Sequence, residues 1–169
     1  MVTAAGLAAA RAIAAAVPDP ELPMVTVADL GILRDVAAEG DRLVVTITPT
    51  YSGCPALPEI ARDLRSRLAA SGFDEVDVRT ALAPAWSSDW ITAEGRGKLS
   101  AAGIAPPHAA PANRGPVPLI LTTTRPKPVT CPRCGSADTT RTAAFGATAC
   151  KALFRCESCR EPFEYVKEI

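Results

Sequence analysis

Two Cys-x-x-Cys pairs, Cys131-Pro132-Arg133-Cys134 and Cys156-Glu157-Ser158-Cys159, stand 21 residues apart and constrain most strongly what this chain can fold into. Each pair can form a tight knuckle that turns two sulfurs toward one tetrahedral ion, and Gly135 places a residue tolerant of positive φ directly after the first knuckle. The strand-like runs 139–145, 153–155 and 163–166 would complete the small β-sheet of a zinc ribbon. Structural Zn²⁺ on Cys131, Cys134, Cys156 and Cys159 is favoured over a rubredoxin-like iron and over a redox dithiol, which needs only one such pair at a helix start. With four protein thiolates the ion has no open position, so it would fold the ribbon and catalyse nothing. Cys150, in a run of small residues, is surplus to a tetrahedral site; its tight loop between strands offers a contact surface.

A ribbon leaves more than a hundred of the 169 residues for another domain, and their pattern is α+β. Leu7, Ala10, Ile13 and Val17 share a helical face that stops at Pro18. Two prolines make Asp19-Pro20-Glu21-Leu22-Pro23 an acidic loop. Runs 32–36 and 42–48 read as a hairpin around Glu39-Gly40-Asp41. Leu57, Ile60, Leu64 and Leu68 form the apolar stripe of a second helix, ended by Gly72, and alternation over 75–81 gives a third strand. A weaker helical pattern covers 86–102. Five prolines between Ala105 and Pro118 mark a linker. The expected architecture is a small three-stranded sheet packed with helices over 1–104, a Pro-rich linker over 105–118, and a β zinc ribbon over 119–169.

Charge narrows the function classes. The formal net charge is zero; residues 1–115 carry 10 Lys+Arg against 13 Asp+Glu, and 116–169 carry 8 against 5. Four thiolates on Zn²⁺ would return about −2 to the second part, so no basic patch for nucleic acid is expected. The apolar run 6–17 is interrupted by Arg11 and is too short to span a bilayer, and it lacks signal-peptide features. The reading is cytoplasmic, with no membrane, and six cysteines in that setting point to metal or thiol chemistry.

Cys54 follows Thr48-Pro49-Thr50-Tyr51-Ser52-Gly53 and leads into the second helix, where unpaired amides favour a thiolate. It reads equally as a metal-binding or nucleophilic sulfur and as a small packed residue. The single histidine, His108, falls in the linker as a solvated residue, so a Cys-His hydrolase is disfavoured. Metal handling fits better, with Asp19 and Glu21 as candidate oxygen ligands or partner contacts.

Asp19-Pro20-Glu21-Leu22-Pro23, Asp29-Leu30-Gly31-Ile32 and Thr48 through Pro55 resemble the motifs of the iron–sulfur-assembly family once called domain of unknown function 59. The stretch 145–156, with Glu161-Pro162-Phe163, is similar to the phenylacetate-degradation branch of that family, PaaD (PaaJ). This resemblance runs from about residue 8 to the C-terminus. It implies a protein encoded with the multicomponent phenylacetyl-CoA epoxidase, a di-iron monooxygenase fed by an iron–sulfur reductase. The implied role is an accessory maturation factor, not an enzyme, whose Cys54 handles iron or an iron–sulfur cluster transiently.

One histidine cannot furnish a di-iron oxygenase, and no Gly-rich nucleotide loop follows a strand. The expected partners are therefore the epoxidase subunits, above all the reductase, and iron–sulfur carrier proteins. One cysteine cannot complete a cluster, so a homodimer, a second protein or glutathione would have to supply the remaining ligands. The alternative is a structural adaptor of the same complex that handles no iron.

Overall fold

The computed structural model describes residues 2–110 and 128–169. They form two compact units that divide between Lys98 and Leu99. No helix among the described residues is long and apolar enough to cross a membrane.

The first unit runs α1 (Ala4–Ala15), β1 (Leu33–Glu39), β2 (Arg42–Ile47), α2 (Leu57–Ala70) and β3 (Val76–Thr80), followed by a 3₁₀ turn (Ser88–Trp90) and α3 (Ala93–Ala101), which crosses the division. Thr3 caps α1 by accepting from the Gly6 amide. The sheet order is β1-β2-β3, with β1 antiparallel to β2 and β3 parallel to it. A parallel pair needs a crossover, and α2 supplies it. Leu43, Val45 and Ile47 alternate along β2 and are fully buried, as are Leu64 and Leu68 of α2. Ala10 and Ala14 are small enough for α1 to pack closely against β1 and α2. On the solvent side Arg79 of β3 reaches across the middle strand and donates to both Glu39 carboxylate oxygens at 2.8 Å.

Asp29 organises the end of this unit. Its carboxylate accepts from the Thr26 amide at 2.9 Å and from the Lys98 ammonium of α3 at 2.8 Å, and its carbonyl accepts from the Thr92 amide. Burial pushes the Asp29 carboxyl up, but Lys98 and the Thr26 amide outweigh it and hold the group below its ordinary value. Trp86 adds a buried bond from its indole nitrogen to the Leu30 carbonyl at 2.8 Å. The Asp29-Leu30-Gly31-Ile32 motif is thus explained by packing and helix anchoring.

The second unit holds β4 (Ile104–Ala105), β5 (Thr139–Ala143), β6 (Lys151–Cys156) and β7 (Pro162–Val166) in the order β4-β7-β6-β5. Its core joins Ala105, Val129, Ala152, Phe163 and Tyr165 to Cys131 and Cys156. Phe154 stacks on Phe163 with ring centroids 5.9 Å apart and meets Tyr165 edge-on at 5.5 Å.

Two features differ from the sequence expectation. The division falls before the anticipated linker, and Ile104–Ala105 pair with β7 as a fourth ribbon strand. His108 is not solvated: it is half-buried, 6.2 Å from the Tyr165 ring, with a buried Nε2. Positions 111–127 of the expected linker and ribbon start lie outside the described residues.

Candidate metal centre and the Cys54 loop

Each knuckle is a turn stitched by backbone bonds. In the first, the Gly135 amide donates to the Cys131 carbonyl and the Cys131 amide to the Ser136 carbonyl, both at 2.9 Å. In the second, the Cys156 amide donates to the Glu161 carbonyl at 2.9 Å, and the Cys159 amide lies 3.5 Å from the Cys156 sulfur. The residue after the second cysteine is left-handed in both, Gly135 at φ 75° and Arg160 at φ 66°. The requirement is legible from the sequence in the first knuckle, where glycine meets it at no steric cost, but not in the second, where an arginine adopts it.

Strand pairing brings the knuckles together. Thr139 of β5 lies opposite Cys156 of β6, so the chain entering β5 and the chain leaving β6 carry the two turns side by side. The Glu157 amide donates to the Asp138 carbonyl at 2.9 Å, the Ser136 and Ser158 hydroxyls meet at 2.8 Å, and Arg133 pairs with Glu161. Sequence reasoning missed these ties, because serine and charged residues in loops carry no signal of their partner.

The four sulfurs lie within 4.8 Å of one another, with Cys131–Cys159 at 3.8 Å and Cys134–Cys156 at 3.5 Å, and all four cysteines are free of disulfides. A tetrahedral ion with metal–sulfur bonds of about 2.3 Å requires sulfurs about 3.8 Å apart, so the donor set fits Zn²⁺ in both chemistry and size. Two of the thiols, Cys134 and Cys156, are pushed in opposite directions. The Cys159 amide, with hydrogen bonds from Cys134 and Cys159, pulls Cys156 down to about 6. At Cys134 the Ser136 amide pulls downward, but the hydrogen bond to Cys156 and burial prevail and push the thiol up to about 12. A divalent cation supplies the charge that lets all four ionise together.

The other predicted site residues lie in the first unit. Cys54 is half-buried in the turn before α2; its amide donates to the Tyr51 carbonyl at 3.1 Å and its carbonyl accepts from Leu57 at 3.4 Å. Asp19 is buried and accepts from the Glu21 and Leu22 amides, both at 2.9 Å, which shapes the acidic loop. Glu21 is exposed. Among the described residues, the four ribbon cysteines are the one group of three or more ligating side chains spaced for a metal ion. Cys150 sits outside it, with its sulfur 3.1 Å from the Thr148 hydroxyl.

Comparison with known proteins covers both units. Residues 7–82 match the family described as iron–sulfur cluster assembly protein, and residues 116–167 match the PaaD zinc beta ribbon domain. Over 153 residues the chain is 45% identical to an Escherichia coli (strain K12) protein described as a component of a "Putative 1,2-phenylacetyl-CoA epoxidase", spanning 89% of this chain and 86% of that one. Over 78 residues it is 36% identical to a Porphyromonas gingivalis (strain ATCC BAA-308 / W83) "Fe-S protein maturation auxiliary factor", spanning 45% of this chain and 73% of the relative. A crystal structure of a domain of unknown function, DUF59, from Bacillus anthracis superposes with a TM-score of 0.50 at 31% identity, covering 55% of this chain and 90% of that one.

Proposed function

The chain belongs to the PaaD family, an iron–sulfur-assembly domain joined to a zinc ribbon, and from that premise we propose that it is an accessory maturation factor for the multicomponent phenylacetyl-CoA epoxidase. In this reading it performs no catalysis of its own and assists iron or iron–sulfur assembly in the oxygenase or, by preference, in the iron–sulfur reductase. The observation that carries the reading is the pairing of both domains in one chain that spans 86% of the Escherichia coli relative.

The four sulfurs of Cys131, Cys134, Cys156 and Cys159 hold one Zn²⁺, which supplies the cross-link that orders the ribbon. Cys54 offers one sulfur to iron or to a cluster in transit, and the remaining ligands come from the recipient, a carrier or a second copy of the chain. Glu21, exposed on the acidic loop, is placed to add an oxygen or a partner contact. Recruiting Asp19 competes with the two amides it already holds.

The adaptor reading has one observation in its favour: the described part of the first unit contains no group of three ligands spaced for a metal. The two readings part in a reconstitution experiment. The oxygenase and reductase are co-produced with this chain, with its Cys54→Ser variant, or with neither, and their iron and acid-labile sulfide are measured. Higher metal content with wild type alone supports maturation through Cys54. Equal benefit from the variant removes Cys54 from the maturation reading, and no gain in metal from either sinks maturation and leaves the adaptor.

A further inference from the structure

The ribbon carries a surface feature that metal binding does not use. Phe145 is 65% exposed, and Leu153 nearby is 37% exposed. A single exposed apolar side chain is ordinary on a protein surface, but this one projects from a turn whose backbone is tightly held. The Gly146 amide donates to the Lys151 carbonyl at 2.8 Å, and the Lys167 amide to the Cys150 carbonyl at 2.9 Å. The Lys167 ammonium donates to the Ala149 carbonyl at 2.7 Å and stands 4.0 Å from the Phe145 ring centroid. A Cβ on Gly146 would come within 3.3 Å of Lys151 Cβ and Glu164 Oε1 and 3.7 Å from Leu153, so the turn lies flat on this side of β6. Lys151 is neutralised by Glu164 at 2.9 Å, whereas Lys167 has no carboxylate partner among the described residues. The result is a fixed aromatic knob topped by an uncompensated ammonium.

We propose that the Phe145 turn is the ribbon's docking knob for a partner protein that presents an apolar pocket with a carboxylate at its rim. Phe145 would fill the pocket, and because the turn is already ordered, little conformational entropy is lost on binding. Lys167, held over the ring, must find an anion when the ring is covered, or its burial opposes the contact. The small side chains of Ala147 and Ala149 let the partner approach the turn's backbone. A single unbalanced cation is too little for a nucleic-acid backbone or an anionic membrane, which leaves a protein surface as the occupant.

The inference rests on the reading that the chain acts on the epoxidase proteins. Zinc-loaded full-length chain is titrated against the purified oxygenase and against the purified reductase at low and high salt, alongside Phe145→Ala and Lys167→Met. Zinc content and thermal midpoint verify that each variant is folded. Wild type is expected to bind one of the two proteins; Phe145→Ala should weaken that binding about tenfold or more. Lys167→Met should lose several-fold together with most of the salt dependence. If wild type binds and either variant binds equally well, the docking assignment is overturned while the functional reading stands. If wild type binds neither protein, the functional reading falls and the docking assignment with it. Self-association of the free chain that Phe145→Ala abolishes would assign the knob to a second copy and overturn the proposal.

Discussion

In the first unit, order comes from apolar burial: Leu43, Val45 and Ile47 of β2 and Leu64 and Leu68 of α2 have no exposed surface. In the second, two of the seven buried cluster members are the cysteines Cys131 and Cys156, and β4 is only two residues long. The first can gain stability by removing aliphatic area from water, roughly 25 cal/mol for each Å². The second has too little such area and depends on a cross-link among four sulfurs. One chain therefore holds a unit whose core is aliphatic and a unit whose core is built around cysteine sulfur.

The comparison is tested most severely by removing metal. A strong chelator, or Cys156→Ser, is expected to abolish the dispersed ribbon signals of an NMR spectrum while those of the first unit stay in place, since structural zinc contributes on the order of 10 kcal/mol to small folds. A ribbon that stays folded without metal would erase the distinction. The converse is Leu64→Ala, which should destabilise the first unit by about 2–5 kcal/mol in urea unfolding and leave bound zinc unchanged.

A smaller effect separates the units by pH. The Asp29 carboxyl sits below its ordinary 3.8 in the folded state, so its contribution is complete above that value and disappears as pH falls through the lower folded value. Asp29→Asn should cost about 1–3 kcal/mol near neutral pH and flatten the acid limb of the first unit's stability curve. An unchanged acid limb in the variant would show that the Lys98 tie does not contribute.

The smallest effects sit at the knuckles. Gly135→Ala places a side chain at φ 75° and should weaken zinc affinity by about 1 kcal/mol, whereas Arg160→Gly, at φ 66°, should strengthen it by a similar amount. Competition with a chromophoric chelator reads both. Equal affinities would mean that left-handed strain at the knuckles is relieved on metal binding.

Local pattern made much of this molecule legible. Alternation at Leu43, Val45 and Ile47 marked β2, and the three- and four-residue spacing of Leu57, Ile60, Leu64 and Leu68 marked α2, because burying one face imposes a period that survives in the sequence. The pairing of β3 with β2 had no such mark, since a period identifies a strand but not its neighbour. The ribbon showed the same limit. Four cysteines at knuckle spacing announced the site, while β4 was missed because two residues are too few to display alternation.

Residue type and spacing determined by themselves that two metal knuckles follow an α+β domain, because a tetrahedral ion and an amphipathic face each demand a local order of side chains. Only the tertiary structure decided that Asp29 anchors α3. It also decided that Asp19 shapes its own loop, that His108 is half-buried beside Tyr165, and that Lys167 stands over an exposed Phe145. Those outcomes depend on which groups distant in the chain arrive at hydrogen-bonding or van der Waals distance, and a charge or an aromatic ring carries no sequence record of the partner that meets it.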